Sequence, residues 1–349
     1  MRAFTPSAQD FPVPLFEAAL LNPVTTLSVI IPIHNAATTL PACLQAVFAS
    51  THSAQVIVVD DASSDDPARL AAQYPCEWLT LSRNVGAAAA RNVGARAATG
   101  DILFFLDGDI VVEGDTIARI LRAFADDPAL AALFGSYQQD TVPKNFFSQY
   151  KNLLHHYTHQ ISAVEAATFC SGYGAIRREI FFALGGFDES QRALEDIEFG
   201  YRLHRAGYRV RLFKDLQFTH LKEYSFGGLV RSDVLQRAIP WTRLMLQKQI
   251  FRNDLNTKSN NVASVVVSFL ILFAPLWLWF VPYGEILPAG LLLALLWLNW
   301  DFIKFVTRAR GILFGLQTCA MTWFFYIYSG IGLLLGLGIH LKQTLFSRA

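Results

Sequence analysis

The sequence predicts an α/β domain built on a mostly parallel sheet, followed by C-terminal transmembrane helices. Three observations carry this expectation. Short, apolar, β-branched runs alternate with helical stretches over the first part of the chain. Two of those runs stop abruptly at acidic residues, Asp60-Asp61 and Asp107-Gly108-Asp109. From Asn261 onward the composition turns strongly apolar, rich in Leu, Trp and Phe.

Taken in order, Leu27–Ile33 (LSVIIPI) ends in a Pro-containing turn and reads as a buried strand. Ala36–Ala49 has helical apolar spacing, and Gln55–Val59 is a second strand stopping at the first acidic pair. A short strand around Trp78–Leu81, an alanine-rich helix over Gly86–Ala98 and an apolar strand over Asp101–Leu106 follow. Later come a helix over Asn145–Gln160, a turn-rich stretch Ser171–Gly174, a helix over Asp196–Ala206 and a basic strand Tyr208–Phe213. A polar, helix-like region rich in Arg and Lys runs from His220 to about Lys258. Alternating strands and helices imply a sheet covered on both faces, whose ligands sit beyond the carboxyl ends of the strands. That rim is where the acidic residues fall.

In the last part, Val262–Val281 has about the ~20 apolar residues that a bilayer span needs. A turn with Pro282, Gly284 and Pro288 leads to a second span, Ile286–Trp300. Asp301–Arg310 is amphipathic and basic, and Ile312–Ile339 is a third apolar stretch. The expected organisation is an N-terminal extension over 1–26, a catalytic domain over 27–225, membrane-proximal helices over 226–260 and two or three transmembrane helices over 261–341. Basic residues Arg237, Arg243, Lys248, Arg252 and Lys258 place the approach to the membrane in the cytosol. A multi-pass inner-membrane protein with a cytosolic catalytic domain is therefore expected.

Composition excludes other classes. A formal net charge of +1 without a basic block gives no footprint for nucleic acid. Four cysteines without CxxC spacing indicate reduced thiols, neither a zinc site nor a disulfide frame. The first 26 residues lack a charged start and apolar core, so no signal peptide is expected.

Several residues carry chemistry. Asp107 and Asp109 flank Gly108 at the end of a buried strand, a disposition suited to Mg²⁺ or Mn²⁺ together with phosphate oxygens; an ordinary acidic turn is the plain alternative. Asp60 and Asp61 can accept hydrogen bonds from a nucleobase or ribose, or help to cap a helix. Glu195 and Asp196 open a helix, where the macrodipole favours acids, and can equally supply a general base. His220 is a structural histidine or a further ligand of the same metal site.

Together the segments LSVIIPIHNA, VIVVDDASSDD, LSRNVGAAAARNVGA, GDILFFLDGDI, SGYGAIRRE, GGFDE and EDIEFGYRLHRAGYRV resemble glycosyltransferase family 2, with its Rossmann-like GT-A fold, from about Leu27 to His220. The resemblance implies that Pro32, His34 and Asn35 line a nucleotide pocket and that Asp61, beside Asp60, contacts the base. It implies that Arg83, Gly86, Arg91 and Asn92 lie around base and ribose. Asp107 would bind ribose and help with metal, Asp109 would coordinate metal, and His220 would complete the metal or diphosphate site. Asp196 would be the catalytic base, Glu195 would support the acceptor, and Gly172 would border sugar and acceptor. The implied donor is a nucleotide sugar, with UDP the default, and the implied cofactor is Mn²⁺ or Mg²⁺.

Members that build long polysaccharides carry a QxxRW motif near the membrane. Here the comparable residues read Gln236-Arg237-Ala238-Ile239-Pro240-Trp241, with proline in place of the arginine, which implies a single transfer. The expected reaction is inverting transfer of one sugar to a hydroxyl of a lipid or lipid-linked glycan. The alternatives are transfer to a polyprenyl phosphate and a non-catalytic membrane scaffold.

Overall fold

The computed structural model describes residues 25–248, 259–274 and 286–346. Eight strands form one sheet: β1 (Leu27–Ile33), β2 (Gln55–Asp60), β3 (Glu77–Thr80), β4 (Ile102–Leu106), β5 (Ile110–Val112), β6 (Leu130–Tyr137), β7 (Tyr173–Arg177) and β8 (Arg209–His220). Their spatial order is β3-β2-β1-β4-β7-β6-β8-β5. The first four are parallel, β7 runs antiparallel to β4 and β6, β6 pairs parallel with β8, and β5 is an antiparallel edge on β8. The sheet is thus parallel where the sequence predicts it and mixed beyond β4.

Side chains alternate across the strands. Val29, Ile31, Val58, Phe104 and Leu106 enter one core, together with Leu40 and Leu44 of α1 (Leu40–Phe48) and Ile117 and Phe124 of α4 (Thr116–Asp126). Ile30, Ile57, Val59, Leu103 and Phe105 enter the other, with α3 (Ala87–Ala97), α6 (Arg178–Ala183) and α7 (Glu195–Arg205) over them. The small helix α2 (Pro67–Ala71) follows β2. All four cysteines are free thiols. Ser171–Gly174 is only partly a turn, because Tyr173 and Gly174 already belong to β7. The basic strand continues past Phe213 to His220, which carries that histidine to the rim.

Helix α5 (Phe146–Ile161) leads from the sheet toward the C-terminal half. There α8 (Phe226–Arg231), a π-helical stretch Ser232–Ala238 and α9 (Ile239–Lys248) run on without a break as one strap. The π stretch lies just before Pro240, whose missing N–H and ring disturb the regular backbone pattern of the preceding turn. Trp241 and Leu244 of the strap pack on Ile197 and Tyr201 of α7.

The apolar part departs from the multi-pass expectation. Helix α10 (Ser259–Leu272) has 14 residues and α11 (Ile286–Leu298) has 13. Helix α12 (Trp300–Arg310) is bent by 69° from α11. Among the described residues only α13 (Ile312–Phe346) is by itself long and apolar enough to cross a membrane. The end of the expected Val262–Val281 span lies outside the described residues. Helix α12 instead packs Phe302 and Val306 into a cluster with Tyr150 and Leu153 of α5. Arg310, at its end, donates to Gln149 Oε1 at 2.9 Å and pairs with Asp140 at 2.6 Å.

Helix α13 follows the strap closely. A Cβ on Gly332 would fall 2.5 Å from Ala238 Cβ, and one on Gly336 would fall 2.8 Å from Thr242 Cβ and 3.0 Å from the Ile239 carbonyl. Small residues four apart on both helices thus allow backbone approach. Replacing Gly336→Ile should cost about 1–3 kcal/mol through overpacking, read as a lowered thermal midpoint in detergent; a midpoint at or above that of the parent chain would contradict the packing.

Candidate active site

The parallel half of the sheet delivers its loops to one rim. Asp61, buried at the end of β2, accepts from the backbone N–H of Val85 (2.7 Å) and of Gly86 (2.8 Å). Gly86 takes φ +97°, a conformation that favours glycine and turns the chain into α3. His34 Nδ1 lies 2.8 Å from the Asp61 carbonyl, and Pro32 pairs with Val59 in the sheet. Asn35, at φ +55°, accepts from Ser64 N at 2.8 Å, and Asp60 accepts from Ser63 N at 2.9 Å. Pro32, His34, Asn35, Asp60, Asp61 and Gly86 therefore share one cluster of loops at this rim, with Arg83 exposed on the adjoining loop.

Arg91 and Asn92 face elsewhere. Arg91 is 4% exposed and points inward from α3, donating Nη2 to Asp107 Oδ1 at 2.6 Å and Nη1 to Glu195 Oε1 at 2.5 Å. Asn92 donates to the Phe187 carbonyl (2.8 Å) and Glu189 (2.9 Å), and accepts from Phe187 N (2.9 Å), so it fixes the 185–189 turn.

At the end of β4, Asp107 N donates to the Gly172 carbonyl at 3.0 Å. A Cβ on Gly172 would lie 2.8 Å from Asp107 Oδ2, so a side chain there would displace this carboxylate. Gly108 presses on Ile33, where a Cβ would sit 2.7 Å from Cγ2. Asp109 Oδ2 faces His220 Nε2 at 3.4 Å, because β5 and β8 pair Ile110 with His220. Burial raises the Asp109 pKa, but His220 and then Lys222 outweigh it and hold the carboxyl below its ordinary value. Of the three expected metal ligands, the structure thus joins Asp109 and His220 and commits one oxygen of Asp107 to Arg91. Among the described residues no three His, Cys, Asp or Glu side chains gather as a ready metal site. The donor set fits a hard cation in part: Asp109 and His220 are neighbours, and the remaining ligands would be Asp107 and phosphate oxygens.

Glu195 and Asp196 open α7 with different roles. Glu195 is buried on Arg91. Asp196 accepts weakly from Ser171 N at 3.3 Å and from Ile197 N at 2.8 Å. Burial, then the Glu195 carboxylate, push Asp196 up to about 6, with Arg91 opposing them. A carboxyl so poised suits general-base work.

Three further residues at this end are not assigned to the site by the sequence. Lys222 and Tyr224 follow His220, and the Tyr224 hydroxyl lies within electrostatic reach of both Asp109 and Arg237. Arg237 Nη1 donates to His155 Nε2 at 3.3 Å; burial and then the Arg237 charge hold His155 neutral, leaving that nitrogen an acceptor. His155 stacks on Tyr137 at 4.8 Å, and Tyr137 in turn meets the ring of His220 edge-on at 5.7 Å. Asp233, four residues before Arg237, is the acid that helix spacing would pair with it. Both oxygens of Asp233 are taken instead, one by Lys151 and one by the Tyr328 hydroxyl at 3.0 Å. Among the described residues Arg237 has no carboxylate partner. The Asp-to-Arg spacing masks this in the sequence.

Residues 28–185 match the family model described as Glycosyl transferase family 2. An uncharacterized glycosyltransferase of Haemophilus influenzae is 29% identical over 188 residues, 51% of this chain and 61% of that protein. A pre-mycofactocin glycosyltransferase of Mycobacterium tuberculosis is 32% identical over 203 residues, 53% of this chain and 40% of its own. The chain thus spans under two thirds of either relative. A mannosyltransferase from Pyrobaculum calidifontis, solved with GDP-Man and Mn²⁺, shares the fold at a TM-score of 0.54 and 19% identity, covering 89% of this chain and 87% of that one.

Replacing Arg91→Met strands two carboxylates, one deeply buried, without their cation. The loss should be about 3–5 kcal/mol in denaturant unfolding, partly recovered by the double replacement Arg91→Met/Glu195→Gln. An unchanged midpoint would contradict the bridging role.

Proposed function

Since the chain belongs to glycosyl transferase family 2, we propose that it transfers one sugar, with inversion, from a nucleotide sugar to a hydroxyl of a lipid or lipid-linked glycan at the cytosolic membrane face. The observation that carries this reading is the pairing of a phosphate-suited end (Asp107, Asp109, His220, Lys222, Arg237) with a free, up-shifted carboxylate, Asp196, across the Arg91 bridge. The loop cluster of Pro32, His34, Asn35, Asp60, Asp61 and Gly86 takes the nucleoside, with Asp107 reaching the ribose. Arg83 stands at its edge. Gly172, packed against the Asp107 carboxylate, borders the sugar.

The acceptor oxygen attacks the anomeric carbon as Asp196 takes its proton, and the C–O electron pair leaves on the nucleoside diphosphate. Lys222 and Arg237 balance the charge that builds there. Mn²⁺ or Mg²⁺ held by Asp109 and His220, with Asp107, would neutralise the same diphosphate. Glu195 acts on the acceptor side only through the position it gives α7. A lipid acceptor is supported by the apolar helices against which the catalytic domain packs, and by Trp241, which ties α7 to the strap. A phosphate acceptor would need no base, so the raised pKa of Asp196 favours a hydroxyl.

Asp196→Asn should lower transfer by roughly 10²–10⁴ while donor binding persists; near-normal transfer would point to a phosphate acceptor. Because Asp196 must be ionised to act, kcat/KM should fall as pH drops through about 6. A flat profile between pH 5 and 8 would remove Asp196 from the role. Arg237→Gln should weaken a nucleoside diphosphate about tenfold or more while sparing the nucleoside; equal loss for both would argue against a diphosphate contact.

A further inference from the structure

We propose that α13 does not cross the bilayer but lies along its cytosolic surface, embedding the enzyme in one leaflet. The proposal rests on the membrane reading above and concerns how the chain meets the lipid. Helix α13 touches α5 near its start and the strap along the rest of its length. Phe314 packs at a tilt on Phe146 at 4.8 Å, Phe324 meets Phe226 at 6.2 Å, and Tyr328 donates to Asp233. Gly332 and Gly336 sit against Ala238 and Thr242, and Gln343 accepts from Arg243 at 3.2 Å. From Phe314 to Gln343 this is about 44 Å of helix, longer than the ~30 Å hydrocarbon core.

The strap that α13 follows never leaves the catalytic domain. Its start lies six residues after His220. Its far end is fastened to α7 through Trp241 on Ile197 and Tyr201, through Lys248 to Glu198 at 3.7 Å, and through Arg205 to the Lys248 carbonyl at 3.1 Å. An upright α13 would therefore draw Lys151, Asp233, Arg237 and the start of α7 into hydrocarbon, where charge is strongly disfavoured. Laid flat, it keeps them on the water side.

The other side of α13 is built for lipid. Ile312, Leu313, Leu316, Leu334, Leu341 and Leu345 are all more than half exposed. Trp297 and Trp300 are exposed at the α11–α12 bend, the residue type that collects at the headgroup level, and Lys304 and Arg308 are exposed beside them. An apolar face flanked by tryptophans and cations is the pattern of a helix lying in the interface.

The two ends of the helix give the test. Lys304→Cys and Lys342→Cys, both at exposed positions, and Arg69→Cys on the catalytic domain would be made singly in the full chain. Sealed inside-out vesicles would then be treated with a membrane-impermeant maleimide mass tag, counting only the gel shift added over the parent chain. An in-plane helix predicts that all three label from outside to within about twofold, without detergent. Labelling of Lys342→Cys only after detergent, with the other two accessible, means that α13 spans and overturns the proposal while leaving membrane attachment intact. Flotation of the parent chain with liposomes of phosphatidylethanolamine and phosphatidylglycerol separates the remaining case. Failure to float overturns this proposal together with the membrane reading on which it rests.

Discussion

A single buried guanidinium holds the reacting end of this molecule in shape. Arg91 reaches from α3 to Asp107 at the sheet rim and to Glu195 at the start of α7. Without a cation between them, the two carboxylates would repel one another in a partly dry site. Because Glu195 is committed to Arg91, the next carboxylate, Asp196, is held by backbone N–H groups alone and feels the neighbouring Glu195 charge. The helix carrying Arg91 starts at the backbone N–H groups that Asp61 holds. The loops around Asp61, the Asp107 carboxylate and the start of α7 are therefore set relative to one another by one element, α3.

The second constraint comes from the C-terminal half. The strap 226–248 lies between α13 and the catalytic domain and touches both. Its π stretch carries Asp233, tied to Lys151 and Tyr328, and Arg237, turned toward His155. Saturating Asp233 leaves Arg237 free for a negatively charged ligand. One strap thus places Arg237 beside His155 and braces α7 through Trp241. An apolar acceptor held in the membrane would meet the site beside that strap.

Much of this was legible in the sequence where the determinants are local. The runs at β1, β2 and β4, and the acids that end them, stand out because buried parallel strands are continuously apolar and their loops need special turns. The residues Asn35 and Asp61 act through loops directly after those strands. Strand β6 (LAALFGSY) escaped because an apolar run without alternation looks the same as a buried helix segment. Strand β7 was partly hidden by Gly172 and Gly174, which suggest a turn. The family resemblance implies Arg91 and Asn92 around base and ribose, whereas their side chains bond elsewhere. Glu195, Phe187 and Glu189, which they bind, lie about a hundred residues away, and no local pattern could show them. Composition likewise marked α13 as apolar, but its course beside the strap depends on contacts between distant segments.

The central claim is that this rim is a nucleotide-sugar site in which metal and carboxylates act together. It is tested most directly by thermal shift of the full-length chain in detergent against UDP-, GDP- and dTDP-sugars, each with Mn²⁺ and with EDTA. Ligand binding raises the midpoint by mass action. The account predicts that at least one of these donors raises it with Mn²⁺, and that EDTA abolishes most of the shift. No shift with any donor in the presence of Mn²⁺, or a shift equally large in EDTA, would contradict it.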